Sequence, residues 1–220
     1  MSKNIAIILA AGSGKRFGKN IPKQFENLNG RKIIDYSIEI FLNNKFINGV
    51  VIVSNHQWMD FLINNYPECK VVLGGEPRQE SSFLGLKACP EGTNHLLIHD
   101  SARPFISNQI INNIVEKLRD YDAVNLSVPT SDTVVYSKNK LVQSIPNREE
   151  FFLSQTPQSF KYDIILEAHE KSTLNDASDD IQLVKDLNIE CYNLMGLIEN
   201  IKITHPLDIK IAELIIQNNI

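Results

Sequence analysis

Ile5-Ala6-Ile7-Ile8-Leu9-Ala10-Ala11-Gly12-Ser13-Gly14-Lys15-Arg16-Phe17-Gly18 runs from an apolar, β-branched stretch through two alanines into a glycine-rich, cationic loop. A strand that is apolar on both faces has to be covered on both sides. Similar short runs recur at Gly49 to Val53, Val71 to Leu73, His95 to Ile98 and Ala123 to Val128. Between them, Ile33, Ile34, Ser37, Ile38, Phe41 and Leu42 mark one helix face, and Ile110, Ile111, Ile114, Val115 and Leu118 mark another. Apolar strands alternating with amphipathic helices predict an α/β fold: a Rossmann-like, mostly parallel sheet with helices on both faces.

The pattern changes at about residues 130–150, where polar residues interleave with Val134 to Tyr136 and Leu141 to Ile145. This predicts a β-hairpin turned at Ser137-Lys138-Asn139-Lys140, with too little apolar surface for a core of its own. Such an arm packs on the body or reaches a partner subunit. Beyond it the spacing predicts helices near Asp163 to Lys171 and Asp179 to Leu187, strands near Glu190 to Leu194 and Ile198 to Ile203, and a closing helix from Pro206. The whole, residues 1–220, reads as a single domain carrying a protruding arm.

Composition narrows the function. With 22 Lys and Arg against 26 Asp and Glu, a net charge of −4 and 43% apolar residues, the chain is that of an ordinary globular protein. It lacks the basic excess that sequence-independent nucleic-acid binding requires. Cys69, Cys89 and Cys191 have no zinc or redox spacing and read as reduced thiols of a cytoplasmic protein. Lys3 followed by Ile5 to Ala11 imitates a signal peptide, but the run is short and leads straight into the glycine loop. No apolar run approaches the roughly 18 residues a membrane span needs. The expectation is a protein neither exported nor embedded in a membrane.

Small residues after a buried strand let backbone N–H groups approach a phosphate. A P-loop would need glycine and Ser or Thr where Leu9 and Arg16 stand. A dinucleotide fingerprint would need its third glycine where Phe17 stands. What distinguishes the loop is charge: Lys15, Arg16, Lys19 and Lys23 fall within nine residues, and Pro22 stiffens the approach to Lys23 and Gln24. In an acidic chain this is a concentrated polyanion site. His99-Asp100 ends an apolar strand at the edge where open α/β sheets bind ligands. Trp58 reads as a packing anchor, and the five histidines form no ligand-spaced cluster.

Leu-Ala-Ala-Gly-x-Gly-x-Arg followed by Pro22-Lys23-Gln24 resembles the signature of sugar and polyol nucleotidyltransferases, in particular the 2-C-methyl-D-erythritol 4-phosphate and ribitol-5-phosphate cytidylyltransferases. The resemblance continues through Gly74-Gly75-Glu76-Pro77-Arg78-Gln79-Glu80-Ser81, His99-Asp100-Ser101-Ala102-Arg103-Pro104, Asp132-Thr133, Gln155-Thr156-Pro157-Gln158 and Asn200-Ile201-Lys202-Ile203-Thr204. It implies transfer of CMP from CTP to a small polyol phosphate. Ala10, Ala11, Gly12, Gly14, Gly74, Gly75, Arg78 and Ser81 would bind the nucleotide. Arg16, Lys23, Lys202 and Arg148 would be catalytic, Asp100 would bind Mg²⁺, and Arg103, Thr133 and Thr156 would hold the acceptor. The family's arms imply a homodimer. Two acceptors stay open: Ser101 and Phe151-Phe152-Leu153-Ser154 lean toward ribitol phosphate, and Ala11 and the compact length toward the methylerythritol phosphate of isoprenoid precursor synthesis. Further alternatives are a non-catalytic nucleotide-binding module and an NAD-dependent oxidoreductase.

Overall fold

Side chains of the first strand alternate between two cores, one on each face of a seven-stranded sheet. The computed structural model describes all residues except 1, 13, 15, 16, 18–20, 175, 219 and 220. Along the chain it forms β1 (Asn4–Ala10), a two-strand ribbon of β2 (Asn27–Leu28) and β3 (Arg31–Lys32), α1 (Ile33–Leu42), β4 (Gly49–Ser54), α2 (Met59–Asn65), β5 (Lys70–Leu73), α3 (Arg78–Lys87), β6 (His95–Asp100), α4 (Asn108–Lys117) and β7 (Ala123–Pro129). There follow β8 (Tyr136–Lys138), β9 (Leu141–Ser144), β10 (Phe152–Lys161), α5 (Tyr162–Lys171), α6 (Asp180–Asp186), β11 (Tyr192–Met195) and α7 (Pro206–Asn218). The sheet order is β11-β7-β10-β6-β1-β4-β5. All its pairings are parallel except those of β10, which runs antiparallel between β6 and β7.

Ala6, Ile8 and Ala10 point into the core shared with Ile34, Ile38 and Phe41 of α1, Leu62 of α2 and Ile110, Ile111 and Ile114 of α4. Ile5 and Ile7 point into the other, with Leu86 of α3, Ile165 and Ala168 of α5 and Leu183 and Val184 of α6. Helices therefore cover both faces, as the alternation predicted. A third, smaller core of Phe17, Leu28, Ile33, Ile203 and Ala212 docks α7 beside the ribbon and the glycine loop. Trp58 is a packing residue, stacked on Phe25 with ring centroids 4.0 Å apart.

The arm is the hairpin β8–β9, a separate two-stranded sheet turned through Asn139 and Lys140, both at positive φ. Its first strand begins at Tyr136 rather than at Val134. Two other expectations need correction. The strand β10 escaped the sequence reading, because Pro157 and a run of polar residues disguise it. Its ladder with β7 is interrupted between Gln155 and Ser159, around the proline that has no N–H to give. Conversely, Ile198 to Ile203 is not a strand: it is a turn followed by irregular chain. Asn200 and Ile203 are both fully buried, whereas the period of two in a strand would put them on opposite faces.

Candidate active site

The parallel register sets Leu9 beside Asp100, so the glycine loop after β1 and the turn after β6 leave the sheet side by side. Gln24, buried, donates from Nε2 to the carbonyls of Ala10 and Gly12 at 2.7 and 2.8 Å and so pins the loop from beneath. Gly14 has a φ of +66°, and a Cβ there would lie 3.0 Å from the Lys23 nitrogen; only glycine fits without strain. Ser101 secures the second turn through its hydroxyl, which donates to the Leu9 carbonyl at 2.7 Å. The third wall comes from the end of β5. A Cβ on Gly74 would stand 2.5 Å from the Ala11 Cβ and 2.8 Å from the Ser81 Oγ, so this glycine permits the close approach of the two walls. α3 begins at Arg78, which places Ser81 inside the helix, its hydroxyl donating to the Gly75 carbonyl at 3.0 Å.

These segments enclose a cleft of about 610 Å³ bordered by Ala11, Gly12, Gly14, Lys23, Gly75, Arg78, Ser81, Asp100 and Lys202 among others. That size suits a nucleotide. A smaller hollow of about 110 Å³ adjoins it, bordered by Arg103, Thr156, Gln158 and Asp179 and, again, by Arg78, Asp100 and Lys202. Ala10 does not reach the cleft: its side chain lies in the core, and its carbonyl serves the loop.

At the shared wall, Lys202 Nζ meets Asp100 Oδ2 at 2.7 Å, Arg78 Nε lies 3.6 Å from Oδ1 and Arg103 Nε 3.9 Å from Oδ2. Burial alone would raise the Asp100 carboxyl, but Lys202, then Arg78 and Arg103, outweigh it and hold the group well below the usual carboxylate range. Arg78 is shared in turn with Asp180, fully buried at the start of α6, which accepts from Nη1 at 2.7 Å. Burial disfavours the charged guanidinium, yet Asp180 and then Asp100 raise its pKa above the ordinary arginine value. Arg103 donates from Nη1 and Nη2 to the carbonyls of Asn200 and Ser154, at 2.8 and 3.3 Å, so its guanidinium serves the framework as well as bordering the hollow. Burial pushes the His99 imidazole down to about 4. It also raises the thiols of Cys69, Cys89 and Cys191 to about 12, 12 and 11, which disfavours thiolate chemistry.

A single chain does not bring together every residue named from the sequence. Thr133 and Arg148 lie on the exposed arm outside both hollows, Arg148 donating to the Ser131 carbonyl at 3.1 Å. Arg16 lies outside the described residues. Gln24, Asp180 and Asn200 were given no role by the sequence reading. Only the helix-capping signal at Asp179, whose carboxylate accepts from the Gln182 N–H at 3.1 Å, could have drawn attention to its neighbour.

A family model for 2-C-methyl-D-erythritol 4-phosphate cytidylyltransferase matches residues 4–218. The chain belongs to this family. A cytidylyltransferase of that name from Clostridioides difficile is 38% identical over 96% of this chain and 92% of its own length, and one from Thermotoga neapolitana is 33% identical over 96% of both. Among solved structures, 4-diphosphocytidyl-2C-methyl-D-erythritol synthase from Anaerococcus prevotii is 28% identical, with a TM-score of 0.88 over 98% of this chain and 96% of its own. The cytidylyltransferase from Thermus thermophilus is 27% identical, with a TM-score of 0.80 over 96% and 98%. As a cytidylyltransferase, a nucleotidyl-transferring enzyme, the chain has its glycine loop and its Asp100 and Lys202 segments gathered at one sheet edge.

Proposed function

We propose that the large cleft binds CTP, that the small hollow begins the site for 2-C-methyl-D-erythritol 4-phosphate, and that the chain joins them into 4-diphosphocytidyl-2-C-methyl-D-erythritol for isoprenoid synthesis in the cytoplasm. The observation that carries this reading is the shared wall: Arg78, Asp100 and Lys202 border both hollows, where two phosphates would meet. An oxygen of the acceptor phosphate attacks the α-phosphorus of CTP, a new P–O bond forms, and the bond to the β-phosphate oxygen breaks to release pyrophosphate. The attacking oxygen is ionised at neutral pH, so no side-chain base is required. Alignment and charge neutralisation remain as the protein's tasks. That fits a wall rich in Arg and Lys.

In this scheme the backbone of Ala11, Gly12 and Gly14 cradles the triphosphate, and Lys23, with Arg16, neutralises it as pyrophosphate leaves. Gly74, Gly75, Arg78 and Ser81 form the base and ribose side of the cleft, and Lys202 faces the α-phosphate. Arg103 borders the acceptor. Among the described residues no three acidic, His or Cys side chains cluster to hold a metal on their own. Asp100 Oδ1, whose contact among the described residues is the one to Arg78 at 3.6 Å, nevertheless fits Mg²⁺, which takes few protein ligands and draws the rest from phosphates and water. When bound, the ion would neutralise charge on the triphosphate. The arm supports a homodimer: Tyr136, Leu141, Val142 and Ile145 on it and Leu153 at the adjoining start of β10 are exposed, an apolar surface that a partner would cover. Thr133 and Arg148 would then serve the neighbouring subunit's acceptor site, while the rest of the chain acts as one catalytic domain.

Membership of the family favours methylerythritol phosphate over ribitol 5-phosphate as acceptor, and retention of Lys23, Asp100 and Lys202 disfavours a non-catalytic module. The test is pyrophosphate release with Mg²⁺, each acceptor in turn and CTP, UTP or ATP. We expect turnover with CTP and methylerythritol phosphate, with ATP about 5- to 150-fold worse, the cost of a lost polar contact to the base. Faster turnover with ribitol 5-phosphate, or equal use of ATP, would overturn the reading.

A further inference from the structure

Gln24 is buried, and its side chain reaches back to the carbonyls of Ala10 and Gly12, two residues apart on the glycine loop. Both carbonyls can only accept, so the amide nitrogen and not the amide oxygen faces them, and both of its hydrogens are engaged there. That nitrogen has no hydrogen left for a substrate. What it sets is the direction of the loop's own groups. In a trans peptide unit the C=O and the N–H point opposite ways. With the Ala10 carbonyl drawn toward Gln24, the Ala11 N–H is turned away from it, and no described residue accepts from the N–H of Ala11, Gly12 or Gly14. All three residues border the large cleft. Unpartnered backbone donors on one short loop at a cleft make a concave site for an anion.

We propose that Gln24 is a positioning residue for the nucleotide: its amide holds the glycine loop so that the donors of Ala11, Gly12 and Gly14 are set for the triphosphate before any ligand arrives. This role rests on the cytidylyltransferase reading and deepens it. Gln24 is itself held in place. It sits in a single turn of 3₁₀ helix, Lys23–Phe25, where the Phe25 N–H donates to the Pro22 carbonyl at 2.9 Å and the Glu26 N–H to the Lys23 carbonyl at 3.1 Å. Phe25 is buried, stacked on Trp58 and meeting Phe61 edge-on with centroids 6.4 Å apart. An aromatic cluster therefore fixes the turn, and the turn fixes the amide against the loop. Donors set in this way need no reorganisation when the anion binds.

Gln24→Met keeps the length of the side chain and removes both donors, and Gln24→Glu keeps its shape but sets carboxylate oxygens against the two carbonyls. Inorganic tripolyphosphate, titrated by calorimetry, probes the loop without the base. We expect Met to weaken tripolyphosphate and CTP binding by the same factor, about 10-fold or more, and Glu to weaken both further. The acceptor KM and the preference for CTP over UTP should stay within about twofold of the parent, which general damage to the cleft would not spare. A Met variant that binds tripolyphosphate within about twofold of the parent would overturn the proposal, as would an acceptor KM or a base preference that moves as far as the CTP affinity. Hydrogen exchange at the Gln24 side-chain amide, followed by NMR in the ligand-free parent, needs no variant to fold. Exchange about 10-fold or more slower than at the exposed Gln57 is expected, and equal rates would mean that the loop is not held in advance and would overturn the proposal. If the parent protein does not turn over CTP and methylerythritol phosphate, the functional reading fails, whereas tripolyphosphate binding and amide exchange still decide whether Gln24 sets the loop.

Discussion

The shared wall of the cleft and the arm treat charge and apolar surface in opposite ways. At the wall, three cations and two carboxylates are held by one another within a single chain, the carboxylates and Arg103 buried and Lys202 half-buried. On the arm, apolar side chains stand in the open on a two-stranded hairpin that has no core of its own. A buried ion network is sensitive to the loss of any one member, since removing a partner leaves an uncompensated charge. An isolated hairpin of this size is marginal in water and gains its order from whatever covers it. The wall is therefore a property of the chain, and the arm, on the reading proposed above, a property of the assembly.

The strongest way to break this contrast is to alter the wall without altering its shape. Asp100→Asn leaves Lys202, Arg78 and Arg103 facing a neutral amide. We expect kcat/KM to fall at least 1,000-fold, about 4 kcal/mol, while circular dichroism shows the fold retained. Activity within tenfold of the parent would mean the wall's charge balance is irrelevant to transfer.

Asp180→Asn tests the far side of the same network. We expect about 3 kcal/mol of destabilisation at pH 7 by denaturant titration, because the buried Arg78 loses its charged partner. Burial would raise the Asp180 carboxyl, but Arg78 and then its hydrogen-bonding neighbours lower it below the ordinary value. A lowered folded-state pKa stabilises the protein above the unfolded-state value of about 4 and loses that contribution as pH falls through the folded value. The gap between parent and variant should accordingly narrow below pH 4. A gap that widens there would contradict the ion-pair account.

The arm has the smallest and most delicate signal. Arg148→Ala and Lys23→Ala homodimers should each be impaired, and mixing them should regain about a quarter of parental activity, since half the dimers are mixed and each of those has one intact site. No recovery, with subunit exchange verified by native mass spectrometry, would place Arg148 in the site of its own chain.

Much of this contrast was legible in the residues. The alternation of β-branched runs and amphipathic faces placed β1, β4, β5, β6 and β7 to within a residue or two, because both faces of the sheet are covered and the pattern is not diluted by exposure. The glycine loop and Asp100 were legible because they lie at strand ends with their own local chemistry, whereas Lys202 entered only through the resemblance to the family's motif. Two elements were misread for related reasons. Pro157 with Ser154, Gln155, Thr156 and Gln158 does not look like a central strand, yet β10 buries Gln155, Thr156 and Gln158 in side-chain hydrogen bonds. Isoleucines at 198, 201 and 203 imitate strand periodicity, yet Ile198 is exposed and Ile203 belongs to the core under α7. Partners remote in sequence were out of reach: nothing local in Arg78 points to Asp180, 102 residues away.

The irregular course of the Lys202 segment bears on how this enzyme can drift. A lysine carried on a strand would tie its neighbours to the demands of a ladder. Here its place depends on buried Asn200 on one side and buried Ile203 on the other, while Ile198 and Glu199 face water. Substitutions should therefore accumulate freely at 198 and 199 and stop abruptly at 200, so that among diverging copies of this gene an invariant asparagine marks the anchor of the lysine that borders the cleft.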